Sequence, residues 1–256
     1  MRGANAPALT YNARMLHRLA AGLAALILLI PAVAHCDEGA VTLRVAVAAN
    51  FRKTLEQLLP AYHRRSGVSV KITSASTGML SAQIQRGAPF DVFLAADKAR
   101  PDALVDAGLA ATGSEQCYAR GTLTVLGVNA LSDLASTDQR IAIANPRFAP
   151  YGQAALDVIA SFRDSDEQPA HLIYGSNVQQ AFQFFESGAA QIAVVAGSIG
   201  ADDGISVSAG LHSPIEQYGL ALARSAVPQA AMDFLSFLVS EQAIERMRSS
   251  GYQPCS

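Results

Sequence analysis

The feature that most restricts this chain is the order in which its apolar segments change period. Leu43–Ala49 is a short continuous apolar run. From Phe51 the spacing switches, so that Leu55, Leu58, Leu59 and Tyr62 fall on one face of a helix. The switch recurs along the chain. Val68–Thr73 reads as a strand before a helix over Gly78–Arg86, and Asp91–Ala95 as a strand before a helix through Val105, with Asp97 as its cap. Gly121–Val128 reads as one longer strand. Arg140–Ala144 precedes a helix over Tyr151–Phe162, and His171–Tyr174 precedes a helix from Val178. Gln191–Ala196 and Gln217–Ala223 complete the strands, and one last helix is expected over Pro228–Arg248. Strands alternating with helices predict an α/β fold with mostly parallel sheets.

The ends and the charge narrow the class. Arg2, Arg14 and Arg18, then the apolar run Leu19–Ile30, then Ala32-Val33-Ala34 follow the order of a secretory signal, with cleavage expected near Ala34. That apolar run is about 12 residues, short of the roughly 20 that span a bilayer. His35 is a poor residue to precede a lipidated Cys36. Three of the 19 basic residues and none of the 21 acidic ones lie in this leader, so the remainder is acidic. An acidic chain without basic clusters is not expected to bind nucleic acid. Export permits one disulfide among Cys36, Cys117 and Cys255, with the pairing open. Neither the cysteines nor His35, His63, His171 and His212 have metal-ligand spacing. With no low-complexity linker, two lobes would have to be joined by strands, Gly121–Val128 leading out and Gln217–Ala223 returning.

Small, hydroxyl and amide residues collect where strands end and helices begin: Ala48–Phe51, Ser74–Gly78, Asn145–Gly152 and Gly175–Val178. Ligands of parallel α/β sheets bind at the carboxyl ends of strands. A helix start offers free N–H donors and a partial positive charge, which favours anions. Any one of these turns could be a cap alone, and Asn177 is a good N-cap. Four turns of one kind suggest a shared anion site without a lysine or arginine. Motifs for phosphate loops, zinc proteases and serine hydrolases are absent. Gly197-Ser198-Ile199-Gly200 has the wrong spacing for a nucleophile turn. No catalytic residue is expected.

At these turns the chain resembles the periplasmic molybdate-binding proteins of ABC importers. The matching stretches are VAVAANF (Val45–Phe51), STGMLSAQIQRGAPFDVFLAAD (Ser76–Asp97), IAIANPRFAPYGQA (Ile141–Ala154) and GSNVQQAFQFFESGAAQIA (Gly175–Ala193). The resemblance implies a two-lobed, periplasmic-binding-protein-like fold of type II with the ligand between the lobes. On the family's pattern lobe 1 would comprise 35–120 with 218–256, and lobe 2 121–217. Asn50, Ser76 and Thr77 match side-chain donors, while Tyr151 and Val178 match positions that donate through backbone N–H groups. Asn50 stands where the family often has serine. Ala196 stands where some members have a tyrosine donor, and whether Ser198 replaces that donor is left open by the sequence.

The implied ligand is molybdate or tungstate, with no cofactor and no direct metal ligand, handed by a monomeric periplasmic receptor to a membrane permease. Molybdate and sulfate are proton-free dianions that accept hydrogen bonds only, whereas hydrogen phosphate also needs an acceptor, and no carboxylate occurs at the four turns. Three other readings follow from the same residues: a sulfate or other oxyanion receptor, a regulatory effector-binding domain, and a serine hydrolase using Ser198 or Ser76.

Overall fold

The computed structural model describes residues 41–163, 171–200 and 203–255. The expected leader and Cys36 lie outside the described residues. In chain order the elements are β1 (Thr42–Ala48), α1 (Arg52–Ser66), β2 (Ser69–Ala75), α2 (Thr77–Gln85), β3 (Val92–Ala95), α3 (Ala99–Asp106), β4 (Gln116–Gly121) and β5 (Leu123–Leu126). There follow β6 (Ile141–Ala144), α4 (Pro150–Phe162), β7 (Leu172–Gly175), α5 (Val178–Glu186), β8 (Ile192–Ala196) and the single turn α6 (Gly197–Gly200). The chain closes with β9 (Ile205–Ser206), β10 (Ile215–Ala221), α7 (Pro228–Leu238) and α8 (Glu241–Ser249).

Two five-stranded sheets result, ordered β2-β1-β3-β10-β4 and β7-β6-β8-β5-β9. In the first, β1 pairs in parallel with β2 and β3, while β10 runs antiparallel to β3 and β4. In the second, β6 is parallel to β7 and β8, and β5 is antiparallel to β8 and β9. Strands β3, β6 and β8 are buried along their whole length. That is why they read as unbroken apolar runs: helices cover both faces of a parallel sheet. Helix α1 buries Leu55, Leu58 and Tyr62, carries Arg64 and Arg65 in its last turn, and ends at Gly67 with φ +70°. Cations there complement the partial negative charge of the helix end, and glycine takes the left-handed cap without a Cβ clash.

Two expected elements differ. The strand expected over Gly121–Val128 is shorter, Leu123–Leu126; Gly121 ends the preceding strand of the other sheet, and the chain changes sheets at Thr122. The helix expected over Pro228–Arg248 breaks after Leu238. Ser240 caps α8 by accepting from the Ala243 N–H at 3.4 Å, and its own N–H donates to the Phe237 carbonyl at 3.0 Å. A serine cap outweighed the continuous apolar period.

Asp91 anchors the first sheet. Fully buried, it accepts from the Arg44 N–H at 2.8 Å, from Arg44 Nε at 3.1 Å and from Ser225 Oγ at 2.9 Å. Burial pushes its carboxyl up, but these donors together outweigh burial and hold it below the ordinary carboxylate value. The C-terminal tail is tied to β4 by the disulfide Cys117–Cys255 and by paired backbone hydrogen bonds between Arg120 and Gln253 at 2.7 and 2.8 Å. This bridge settles the pairing that the sequence leaves open.

Candidate functional site

Four helix starts from both lobes meet around one small cavity. Its walls include Asn50 ahead of α1, Ser76 and Thr77 at α2, Tyr151 at α4, and Asn177 and Val178 at α5, with alanines between them. The cavity is about 10 Å³, on the order of one water-sized centre.

The backbone N–H groups of Asn50, Thr77, Tyr151 and Val178 have no hydrogen-bond partner among the described residues. The first N–H groups of a helix have none within the helix, so they are donors in waiting. Ser76 is 3 % exposed and sits at the N-cap of α2, yet its hydroxyl neither caps the helix nor meets any other polar atom. A buried, unpartnered hydroxyl is costly and calls for a ligand-side explanation. Thr77 Oγ1 accepts the Ala96 N–H at 3.0 Å, which leaves its own proton free to donate. Asn177 is the cap expected of it, accepting the Gln180 N–H at 3.1 Å.

No acidic, basic or histidine side chain lines the cavity. Donors therefore dominate, and the positive ends of four helices add to them. A small anion without a proton to donate matches this set, because it needs acceptors from no one. A cation or a protonated anion does not.

Residues 43–253 match the family model described as bacterial extracellular solute-binding protein. The chain belongs to that family. It is a solute-binding protein and not an enzyme. It is 34% identical to the molybdate-binding protein ModA of Rhodobacter capsulatus, over 91% of this chain and 96% of that one. It is 32% identical to ModA of Azotobacter vinelandii, over 85% and 92% of the two chains. The solved structure of the Azotobacter vinelandii periplasmic molybdate-binding protein superposes with a TM-score of 0.77 at 33% identity, covering 84% of this chain and all of that one.

In this solute-binding protein two expected side-chain roles fall elsewhere. Asn50 Nδ2 donates to Gln217 Oε1 at 2.8 Å and to the Tyr252 hydroxyl at 3.0 Å. The orientation of its amide follows from Gln217, whose Nε2 is committed to the Ile215 carbonyl at 3.1 Å and so turns Oε1 towards Asn50. Both amide N–H groups of Asn50 are thus spent within the protein, and its remaining donor at the cavity is the backbone N–H. Ser198 does not line the cavity. Its hydroxyl donates to the Asn50 carbonyl at 3.0 Å and lies 3.1 Å from the Tyr252 hydroxyl. Ala196 is buried in β8 opposite Leu123 and also lies off the cavity. Ser198 therefore braces Asn50 from the second lobe and replaces no missing donor.

Tyr151 presents its backbone to the cavity, while its hydroxyl reaches the sheet crossover. A Cβ on Gly121 would lie 2.0 Å from that oxygen, which is why glycine stands there. The phenol is buried without a partner, and burial first, then the neighbouring Tyr252 and Tyr118, raise its pKa well above the ordinary value. It stays neutral. Sequence reasoning missed this polar knot of Gln217 and Tyr252 because Tyr252 lies 202 positions from Asn50, and no local pattern links them.

Proposed function

We propose that this protein is a periplasmic, monomeric receptor that captures molybdate, or the similarly sized tungstate, and delivers it to the membrane permease of an ABC importer. The binding set would be Asn50, Ser76, Thr77, Tyr151 and Val178, with molybdenum held as the oxyanion and no cofactor. The observation that carries this reading is the buried, unpartnered Ser76 hydroxyl in a small cavity free of charged side chains. Each hydrogen bond to the dianion would contribute about 1.5–3 kcal/mol, strengthened by burial. The names of the two ModA relatives support molybdate over other dianions.

Calorimetry with molybdate, tungstate, sulfate and phosphate tests the ligand. Molybdate and tungstate should bind one per chain, at least roughly tenfold tighter than sulfate, a gap of about 1.4 kcal/mol. Equal affinity for sulfate would leave the anion class standing and remove molybdate. Since no acidic, basic or histidine side chain lines the cavity and the Tyr151 phenol is held well above its ordinary pKa, molybdate affinity should be level between about pH 6 and pH 9, outside the ordinary carboxylate range and below that of tyrosine and lysine. Cell fractionation tests the location, which requires a form processed near Ala34 in the periplasm.

A further inference from the structure

The two lobes also touch outside the anion cavity, through groups with no place in anion binding. The N–H of Gly78, in the first turn of α2, donates to the Phe148 carbonyl across the cleft at 2.8 Å. Arg100, on α3, extends Nη2 to the Arg147 carbonyl at 3.3 Å. Asp97 holds that arginine in place: its Oδ1 accepts the Arg100 N–H at 2.9 Å, and its Oδ2 pairs with Nη1. On the other lobe, Asn145 shapes the turn that presents both carbonyls. Its Oδ1 accepts the Arg147 N–H at 3.0 Å, and its carbonyl accepts from Phe148 and Ala149 at 3.1 and 2.9 Å. The approach is close, and a side chain at position 78 would need the facing turn to give by a few tenths of an ångström. A Cβ on Gly78 would lie 3.0 Å from the Phe148 oxygen, 3.1 Å from its Cα and 3.2 Å from Arg100 Nε.

We propose that Gly78, Asp97 and Arg100 form a latch that grips the carbonyls of Arg147 and Phe148 when the lobes close, and so sets how long the anion stays bound. These contacts join opposite lobes, so they exist only in the closed state. Apparent affinity scales with the population of the binding-competent form, and any bond made only there raises it. Parting the lobes returns both carbonyls to water, so each bond shifts the balance by a modest factor, roughly two- to tenfold. Because the latch resists opening, its effect falls on release and not on capture. Arg100 is a positioning residue in this scheme and touches no ligand. The proposal rests on the reading that the lobes close around an oxyanion.

Stopped-flow measurement of molybdate association and dissociation, with small-angle scattering with and without molybdate, tests it on the whole protein. Gly78→Ala and Arg100→Ala should each dissociate roughly two- to tenfold faster with association within about twofold. Their molybdate-bound radius of gyration should move towards the anion-free value. Asp97→Ala should follow Arg100→Ala in direction. Should Gly78→Ala fail to fold, Arg100→Ala decides, since that side chain is partly exposed. Unchanged dissociation and scattering in the variants overturn the latch. If the wild type binds none of the four anions, the ligand assignment fails separately, and the anion-free curves decide the latch: a wild type more compact than Arg100→Ala supports it, and identical curves overturn it.

Discussion

Ser76 and Thr77 are neighbours with the same chemistry, and their surroundings give them different uses. The Ser76 hydroxyl is buried with no partner, so the anion-free protein carries its desolvation cost. Ser76→Ala is expected to weaken molybdate binding by about 1–3 kcal/mol while the melting temperature of the anion-free protein holds or rises. Calorimetry and thermal melts on the same sample check both halves, and a lower melting temperature with intact affinity would refute the assignment. Thr77→Val should lower affinity and stability together, because it also leaves the Ala96 N–H without its acceptor. Asn50→Ala should cost stability first, through Gln217 and Tyr252. The residue types at these turns were legible in the sequence, since donors at a helix start are a local matter. That Asn50 spends its amide inside the protein was not, since its partners come from β10 and the C-terminal tail.

At the scale of elements, the first sheet depends on a carboxylate that the sequence presents only as the start of a strand. Asp91 has a native pKa below its unfolded value. The sign of its contribution follows. It stabilises the fold above the unfolded pKa of about 4, and that stability is lost as pH falls through the lowered native pKa. Asp91→Asn should therefore destabilise at pH 7, by about 1–3 kcal/mol if the Arg44 N–H and Ser225 are left poorly matched. It should also flatten the fall in stability below about pH 4. Urea melts at pH 7 and pH 3 check this, and a variant with the wild-type acid profile would contradict it. Most elements could be read from period alone, because burial imposes the period. The two misread elements failed for definite reasons. The Gly121–Val128 run reads as one stretch of strand-forming residues, yet Thr122 is where the chain changes sheets. The Pro228–Arg248 run keeps its helical period across a break that the Ser240 cap imposes.

The whole molecule is held by ties between distant parts of the chain. Cys117–Cys255 closes a segment of 138 residues and tethers the tail that carries Tyr252 to Asn50. Replacing both cysteines by serine should cost about 2–4 kcal/mol through the freed unfolded chain. Thermal melts of the double variant measure this, and an unchanged melting temperature would show that the backbone pairing of Arg120 with Gln253 suffices. Anion affinity should fall less in that variant than in Ser76→Ala, since the tail acts on the cavity only through Asn50.

By itself, the sequence determined the α/β class, the four strand-to-helix turns, the acidic balance and the residue types that can donate to an anion. All of these are local properties, set by period, charge and the few residues around each turn. Only the tertiary structure decided that the four turns face one cavity, that Cys117 pairs with Cys255, that Asn50 and Ser198 brace each other, and that Gly78 and Arg100 reach the opposite lobe. Each of these joins residues far apart in the chain. Such pairings are selected by how the two sheets pack and close, which no short stretch of sequence specifies.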